Sequence, residues 1–228
     1  MAMERRLGWR MGGVVLFGLV VALVPWKEGL MSSGPLALTS EEKVELLALA
    51  RASLRAHLEG TSPPVIDERA LSTALREQAA CFVTLTEGGS LRGCILDSFR
   101  PHESVARNVA RNVVLAATVD ARFSPVRLDE LALLTIEVSV LGRPYAIPHS
   151  PPGRLIAALR PGVDGVILTT TFGTSTFLPQ VWEQIPDVSM FLSELCRKQG
   201  APSACWETKE LLRVEVYQAT HFLEADAR

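Results

Sequence analysis

The fold is decided by one stretch of the chain, residues 81–95, which reads CFVTLTEGGSLRGCI. Its first half is rich in β-branched and aromatic residues, which favour strands. Gly88 and Gly89 then offer the positive φ angles that a tight hairpin turn needs. The stretch therefore predicts a β-hairpin in which Cys94 lies on the second strand, shortly after the turn.

The same stretch raises a question about Cys94, which follows Arg92 and Gly93. A neighbouring cation can favour the thiolate, the form of cysteine that acts as a nucleophile. If this turn forms a functional cleft, we predict that Arg92 lowers the pKa of Cys94 and that Cys94 reacts fastest among the cysteines. The alternative is an inert sulfur that packs as a small hydrophobic residue, with Arg92 pointing to the opposite face.

The composition is that of a folded chain. Of its 228 residues, 48% are hydrophobic, which is enough for one substantial core or two small ones. The formal net charge of −2 gives no support for binding to nucleic acid.

The cysteines and histidines show no spacing typical of a metal site. The chain contains Cys81, Cys94, Cys196, Cys205, His57, His102, His149 and His221, with no Cys-x-x-Cys pair among them. We therefore predict no zinc site, no other metal, no cofactor and no disulfide framework.

Residues 1–30 form a hydrophobic leader by composition. Arg5, Arg6 and Arg10 precede an uncharged apolar run at residues 12–24. As a helix this run would span roughly 20 Å, which is short of the ~30 Å hydrocarbon core of a bilayer. Three alternatives stay open: a short membrane anchor, an uncleaved signal, or a start codon assigned too early. We expect a linker at residues 31–40 and one domain at residues 41–224.

The pattern along that domain mixes helices and strands. Thr39 and Glu42 have capping-box spacing before a first helix, and a second long helix is predicted at about residues 103–119. Alternation at residues 134–140 predicts a strand with one buried face, whereas residues 171–176 suggest a polar loop. Because there is no strict β-α-β order, we predict an α+β fold with a mainly antiparallel sheet flanked by helices.

A few polar residues outside the hairpin could carry chemistry. Asp120 and Arg122 are two residues apart, Thr176 ends a run of hydroxyl residues, and Lys198 lies near the end of a predicted helix. Each has a simpler explanation. Asp120 and Arg122 would form an exposed ion pair or a helix-end clamp, Thr176 would end a strand, and Lys198 would be a cation at a helix end. No phosphate-binding glycine loop and no serine triad is present in the sequence.

Several motifs in order resemble those of the AMMECR-one (AMMECR1) domain family, over about residues 41–224. The matching segments are residues 82–85, 91–95, 120–125, 136–141, 165–168, 177–182 and 191–206. The family usually has glycine at the position of Leu96 and alanine at that of Gln199.

The resemblance implies an α+β domain in two unequal lobes, with the cysteine motif near the cleft between them. A ligand in that cleft would be held by Arg92, Gly93, Cys94, Asp120, Arg122 and Thr176. Bacterial and archaeal members resemble protein A of the AmmeMemoRadiSam system, which implies Memo-like and radical-SAM proteins as partners by association.

Two functions follow from this reading. The favoured one is a module in the cytoplasm that binds a small molecule or a peptide, with membrane contact only through residues 1–30. The alternative is an enzyme in which Cys94 is the nucleophile, Arg92 holds an anionic group, and Lys198 or Asp120 assists proton transfer.

Overall fold

The protein has an α+β fold in the computed structural model, which describes residues 34–224. The helices are α1 (Ser40–Glu59), α2 (Thr73–Arg76), α3 (Val105–Thr118), α4 (Pro152–Ala158) and α5 (Val188–Lys198). The strands are β1 (Cys81–Glu87), β2 (Ser90–Ile95), β3 (Leu134–Leu141), β4 (Tyr145–Ala146), β5 (Gly165–Thr170), β6 (Gly173–Phe177), β7 (Leu211–Tyr217) and β8 (Ala219–Leu223).

The strands form two antiparallel sheets of four strands each, in the orders β2-β1-β3-β8 and β4-β7-β5-β6. Helices α1 and α3 pack with the first sheet around the larger hydrophobic core, which we call the first lobe. Helices α4 and α5 pack with the second sheet around a smaller core, the second lobe. The predicted α+β class and the two unequal lobes are confirmed.

A small cluster of apolar residues lies between the lobes. Ala80 and Leu141 come from the first lobe, and Ile167 and Tyr217 from the second. Leu96, at the position where the family usually has glycine, packs against this interlobe cluster.

The ends of two helices are held by local caps, of which the Thr39–Glu42 capping box was predicted. Thr39 and Glu42 form a complete capping box at the start of α1, and Gly60 ends that helix in the left-handed conformation. Asp187 caps α5 by accepting a hydrogen bond from the amide of Met190 at 2.8 Å.

Two buried amides tie α3 to the start of β1. Asn108 accepts the Cys81 amide hydrogen at 3.0 Å, and Asn112 donates to the Cys81 carbonyl at 2.8 Å. Both asparagines are fully buried. Their side chains therefore satisfy backbone groups that would be costly to bury unpaired.

The absence of a disulfide was a wrong prediction, because Cys196 and Cys205 are bonded. The end of α5 and a 3-10 turn at Cys205–Glu207 bring their Cα atoms within 5.9 Å. The spacing of nine residues between the two cysteines does not indicate that the chain turns back to bring them together. The polar loop predicted at residues 171–176 is also wrong, since most of it belongs to β6 and pairs with β5.

Between residues 34 and 224, the structure contains no helix that is both long enough and apolar enough to cross a membrane. The leader, with its apolar run at residues 12–24, and the first three residues of the predicted linker, 31–33, lie outside the described residues. Residues 34–39 of the linker are described and form neither helix nor strand before α1.

Candidate functional site

The predicted hairpin forms, but an irregularity in it turns Arg92 away from Cys94. Leu85 pairs with Gly93 and Thr86 pairs with Leu91, which leaves Arg92 without a partner in the ladder. In a regular strand Arg92 and Cys94 would share a face, and an extra residue breaks that alternation.

The guanidinium of Arg92 is engaged elsewhere. It donates to the Glu130 carboxylate at 2.8 and 3.2 Å and to the Ser124 carbonyl at 2.9 Å. The side chains of Arg92 and Glu130 are both largely buried. Arg92 thus fixes the segment that follows α3, and the structure does not bring it to the thiol.

Gly93 allows α3 to lie directly against β2. A Cβ atom at this position would lie 2.1 Å from the carbonyl oxygen of Ala116. This contact is between backbone and backbone, so no side chain can rotate to make room. Gly93 therefore has a packing role, whatever it contributes to a ligand.

Asp120 connects the end of α3 to the backbone of the cysteine. Its carboxylate accepts the Cys94 amide hydrogen at 2.9 Å and two hydrogen bonds from the Arg122 guanidinium at 2.9 and 2.6 Å. The Arg122 hydrogen bonds and the two backbone amides hold the pKa of Asp120 well below its usual range. Because the Asp120 side chain is only 6% exposed, this is not the solvated ion pair considered from the sequence.

The second lobe contributes Lys198 and Thr176 to the same place. Lys198 Nζ donates to the Thr176 carbonyl at 2.9 Å and lies 4.9 Å from the centre of the Phe177 ring. The Thr176 hydroxyl lies 2.9 Å from the Tyr217 hydroxyl. Lys198 acts electrostatically on Cys94, across the boundary between the lobes. We call Cys94, Asp120, Arg122, Thr176 and Lys198 the interlobe site.

Cys94 is a half-buried thiol whose environment favours the protonated form. Burial raises its pKa, and this outweighs the opposing effects of the Thr84 hydroxyl, Arg122 and Lys198. The Thr84 hydroxyl donates to Cys94 Sγ at 3.4 Å. The prediction that Arg92 would lower this pKa is therefore wrong, because burial dominates and the nearby cations are Arg122 and Lys198.

The Lys198 side chain is exposed to solvent, but the protein around its ammonium group still lowers the pKa of Lys198. Desolvation is the main cause, and the positive charge of Arg122 adds to it. A negative charge placed between these two cations would relieve their repulsion.

Comparison with known proteins agrees with this architecture. A match to the AMMECR1 family covers residues 47–222. The chain belongs to the AMMECR1 family. Protein Ta0236 of Thermoplasma acidophilum is 31% identical over 86% of this chain and 94% of its own length. A protein of Methanothermobacter thermautotrophicus is 34% identical over 82% of this chain and 96% of its own.

A solved structure is similar to this AMMECR1 chain as well. The crystal structure of the uncharacterized protein PH0010 from Pyrococcus horikoshii matches with a TM-score of 0.73 and 30% identity. The match covers 82% of this chain and 93% of that one.

Two residues of this AMMECR1 chain were missed in the sequence. Thr84 lies directly across the ladder from Cys94, so the hairpin register could have revealed it. Tyr217 gave no signal, because its place depends on the second lobe. Its ring is fully buried and packs over Gly165, where a Cβ atom would lie 2.5 Å from it.

The chemistry available at the interlobe site is the recognition of an anion beside a neutral thiol. The exposed guanidinium of Arg122 and the ammonium of Lys198 can each donate to a carboxylate or a phosphate. Within residues 34–224, no group of three or more acidic, histidine or cysteine side chains is arranged to hold a metal ion.

Proposed function

We propose that this protein is a ligand-binding module whose interlobe site holds an anionic group of a small molecule or a peptide. Arg122 and Lys198 provide the positive charge, and the neutral, half-buried thiol of Cys94 lines the site. The observation that carries the proposal is that the Asp120 carboxylate binds both the Cys94 amide and the Arg122 guanidinium, while Lys198 from the other lobe acts electrostatically on the same cysteine.

This arrangement suits binding better than it suits nucleophilic attack. Asp120 neutralises part of the charge of Arg122, so the interlobe site keeps a formal charge of about +1 with a protonated thiol. An anion would gain hydrogen bonds from both lobes at once. Binding would therefore also hold the lobes in one relative arrangement.

The test compares an anionic and a neutral alkylating reagent at Cys94. Iodoacetate and iodoacetamide attack the same thiolate, so the ratio of their rates cancels the thiolate fraction and reports attraction of the negative charge. One favourable charge contact in water is worth about 1 kcal/mol, or roughly a fivefold higher ratio than for free cysteine.

The other cysteines do not interfere with this measurement. Cys81 is fully buried with a raised pKa, and Cys196 and Cys205 are joined in the disulfide. In the full-length chain, Lys198→Met and Arg122→Gln should each lower the ratio. Arg127→Gln removes the same charge at an exposed pair and should leave it unchanged. A wild-type ratio no higher than that of free cysteine would refute the proposal.

An enzyme with Cys94 as nucleophile is the second candidate. It is favoured by Lys198, whose lowered pKa increases the share of neutral amine that is available to accept the thiol proton. It requires a thiolate at neutral pH, and burial opposes this. The pH dependence of alkylation separates the two candidates.

Association with Memo-like and radical-SAM proteins is part of the proposal by family resemblance alone. The direct test is affinity purification of the full-length chain from its own host, with Lys198→Met as the matched variant. Recovery of such a partner with the wild type and not with the variant would connect the partner to the interlobe site.

Cellular location is the last part of the proposal. A domain in the cytoplasm, with membrane contact only through residues 1–30, stays a prediction, and the Cys196–Cys205 disulfide argues against it because such bonds are rare in the reducing cytosol. Arginines before an apolar segment favour the cytoplasmic side, so an anchor there would place the domain outside. Labelling of Cys94 with an impermeant thiol reagent is compared in intact and in lysed cells, because Cys94 reacts slowly in either place. Labelling only after lysis supports a domain in the cytoplasm, and equal labelling in intact cells contradicts it.

A further inference from the structure

The second sheet has an open face directed at the first lobe. Ile167 and Thr169 of β5 pair with Glu215 and Arg213 of β7, and Thr169 pairs on its other side with Thr174 of β6. Directly paired residues share a face of the sheet. These side chains therefore form one continuous surface.

A cleft of about 640 Å³ lies between this surface and the first lobe. Ala80 and Leu141 of the first lobe also line the cleft, together with residues 98–101 and 142–144. The volume is within the range of about 300–1,000 Å³ that is usual for small-molecule sites. Its position between two lobes is also typical of such sites.

The cleft is separate from the interlobe site around Cys94. Tyr217 is fully buried, its ring packs against Phe99 at 5.8 Å, and its hydroxyl donates to the Phe177 carbonyl at 3.1 Å. Because Tyr217 stands on the same face of β7 as Arg213 and Glu215, it lies between the cleft and the Cys94 end of the sheet.

The lining combines an apolar surface with a positive charge. Ala80, Leu141 and Ile167 offer apolar walls, whereas Arg100, Arg143 and Arg213 are the cationic members of the lining. Glu215 is its acidic member and accepts a hydrogen bond from Arg213 at 2.7 Å. With Arg143 left aside, Arg100 and Arg213 against Glu215 leave a formal excess of one positive charge.

We propose that this cleft binds an organic anion that carries a carboxylate or a phosphate on an apolar body. The apolar part lies against Ala80, Leu141 and Ile167, and the anionic group meets Arg213 and Arg100. The Thr169 and Thr174 hydroxyls, 3.3 Å apart, are placed to donate to the same group. This ligand site is independent of the anion site at Cys94.

The test uses three probes of one shape: 2-naphthoate, 2-naphthyl phosphate and the uncharged 2-naphthamide. Each is titrated into the full-length, ¹⁵N-labelled chain, and the dissociation constant is read from amide shifts. We expect shifts at Thr169 and Gly142, with one of the two anions at least tenfold tighter than the amide. The tighter anion identifies the head group.

Variants locate the charge that matters. Arg213→Gln removes a cation and leaves Glu215 unpaired, so it should weaken binding more than Arg100→Gln, and each should weaken it at least fivefold. Arg127→Gln, an equal charge change at an exposed pair outside the cleft, should have no effect. Equal binding of the amide, shifts confined to the residues around Cys94, or no binding at millimolar concentrations would each overturn the proposal.

Discussion

The close approach of α3 to β2 makes Gly93→Ala a sensitive test of how the cysteine motif is held. An ordinary contact begins at 3.4 Å, whereas the new Cβ atom would lie 2.1 Å from the Ala116 carbonyl oxygen, so the two backbones must separate by about 1.3 Å. Overpacking of this kind costs about 1–3 kcal/mol, and occasionally more. Since α3 carries the fully buried Val109 and Val113, it cannot shift without opening the core, and we expect about 3 kcal/mol.

The assay is urea denaturation of the full-length chain followed by far-UV circular dichroism. Gly153→Ala is the matched control, because nothing lies within 4 Å of a Cβ atom there and the residue is part of α4. Alanine is the better helix former, so this variant should lose no stability. If Gly93→Ala unfolds within about 0.5 kcal/mol of the wild type, the change typical of a neutral surface site, the packing described here is refuted.

Three further results are expected. Trp182→Ala should destabilise the chain by about 3–5 kcal/mol in a urea titration, because the indole is buried and its ring stacks on that of Phe191 with the ring centres 3.6 Å apart. A loss of stability below ~1 kcal/mol would contradict this. Asp120 has a lowered pKa in the folded chain, so the stability that its carboxylate provides is present above pH ~3.9 and is lost as the pH falls towards the folded pKa. The difference in unfolding free energy between wild type and Asp120→Asn should therefore shrink between about pH 5 and pH 2. A difference that stays constant over this range would count against the carboxylate. Arg92→Ala should leave the midpoint pH of Cys94 alkylation unchanged, as measured by peptide mapping, whereas a clear shift would restore Arg92 to the site.

The parts of the fold that could be predicted are those decided by local sequence. Gly88 and Gly89 specify the hairpin because both adopt positive φ angles, and Thr39 and Asp187 mark the starts of α1 and α5 because each caps its helix. The hydrophobic alternation predicts the buried face of β3 correctly at residues 134–138, but Ser139, on the polar face of the pattern, is buried as well. These signals involve only neighbouring residues, so they can be recognised in a single sequence.

The parts that could not be predicted depend on register or on distant segments. One unpaired residue in the ladder turns Arg92 to Glu130, and no local pattern shows such an irregularity. The contact between Lys198 and Cys94 needs both lobes in place. The family resemblance supplied the location of the site between the lobes, but not which cations would face the thiol.

The measurement that tests the account most directly is the rate of Cys94 alkylation by iodoacetamide across pH, in the native full-length chain. Iodoacetamide is neutral, so its rate follows the fraction of thiolate. Burial raises the pKa of Cys94, and we expect the midpoint above the value of about 8.5 for a free cysteine. A midpoint at or below about pH 7 would mean that the thiolate predominates at neutral pH, which would contradict the binding module and favour a nucleophilic enzyme.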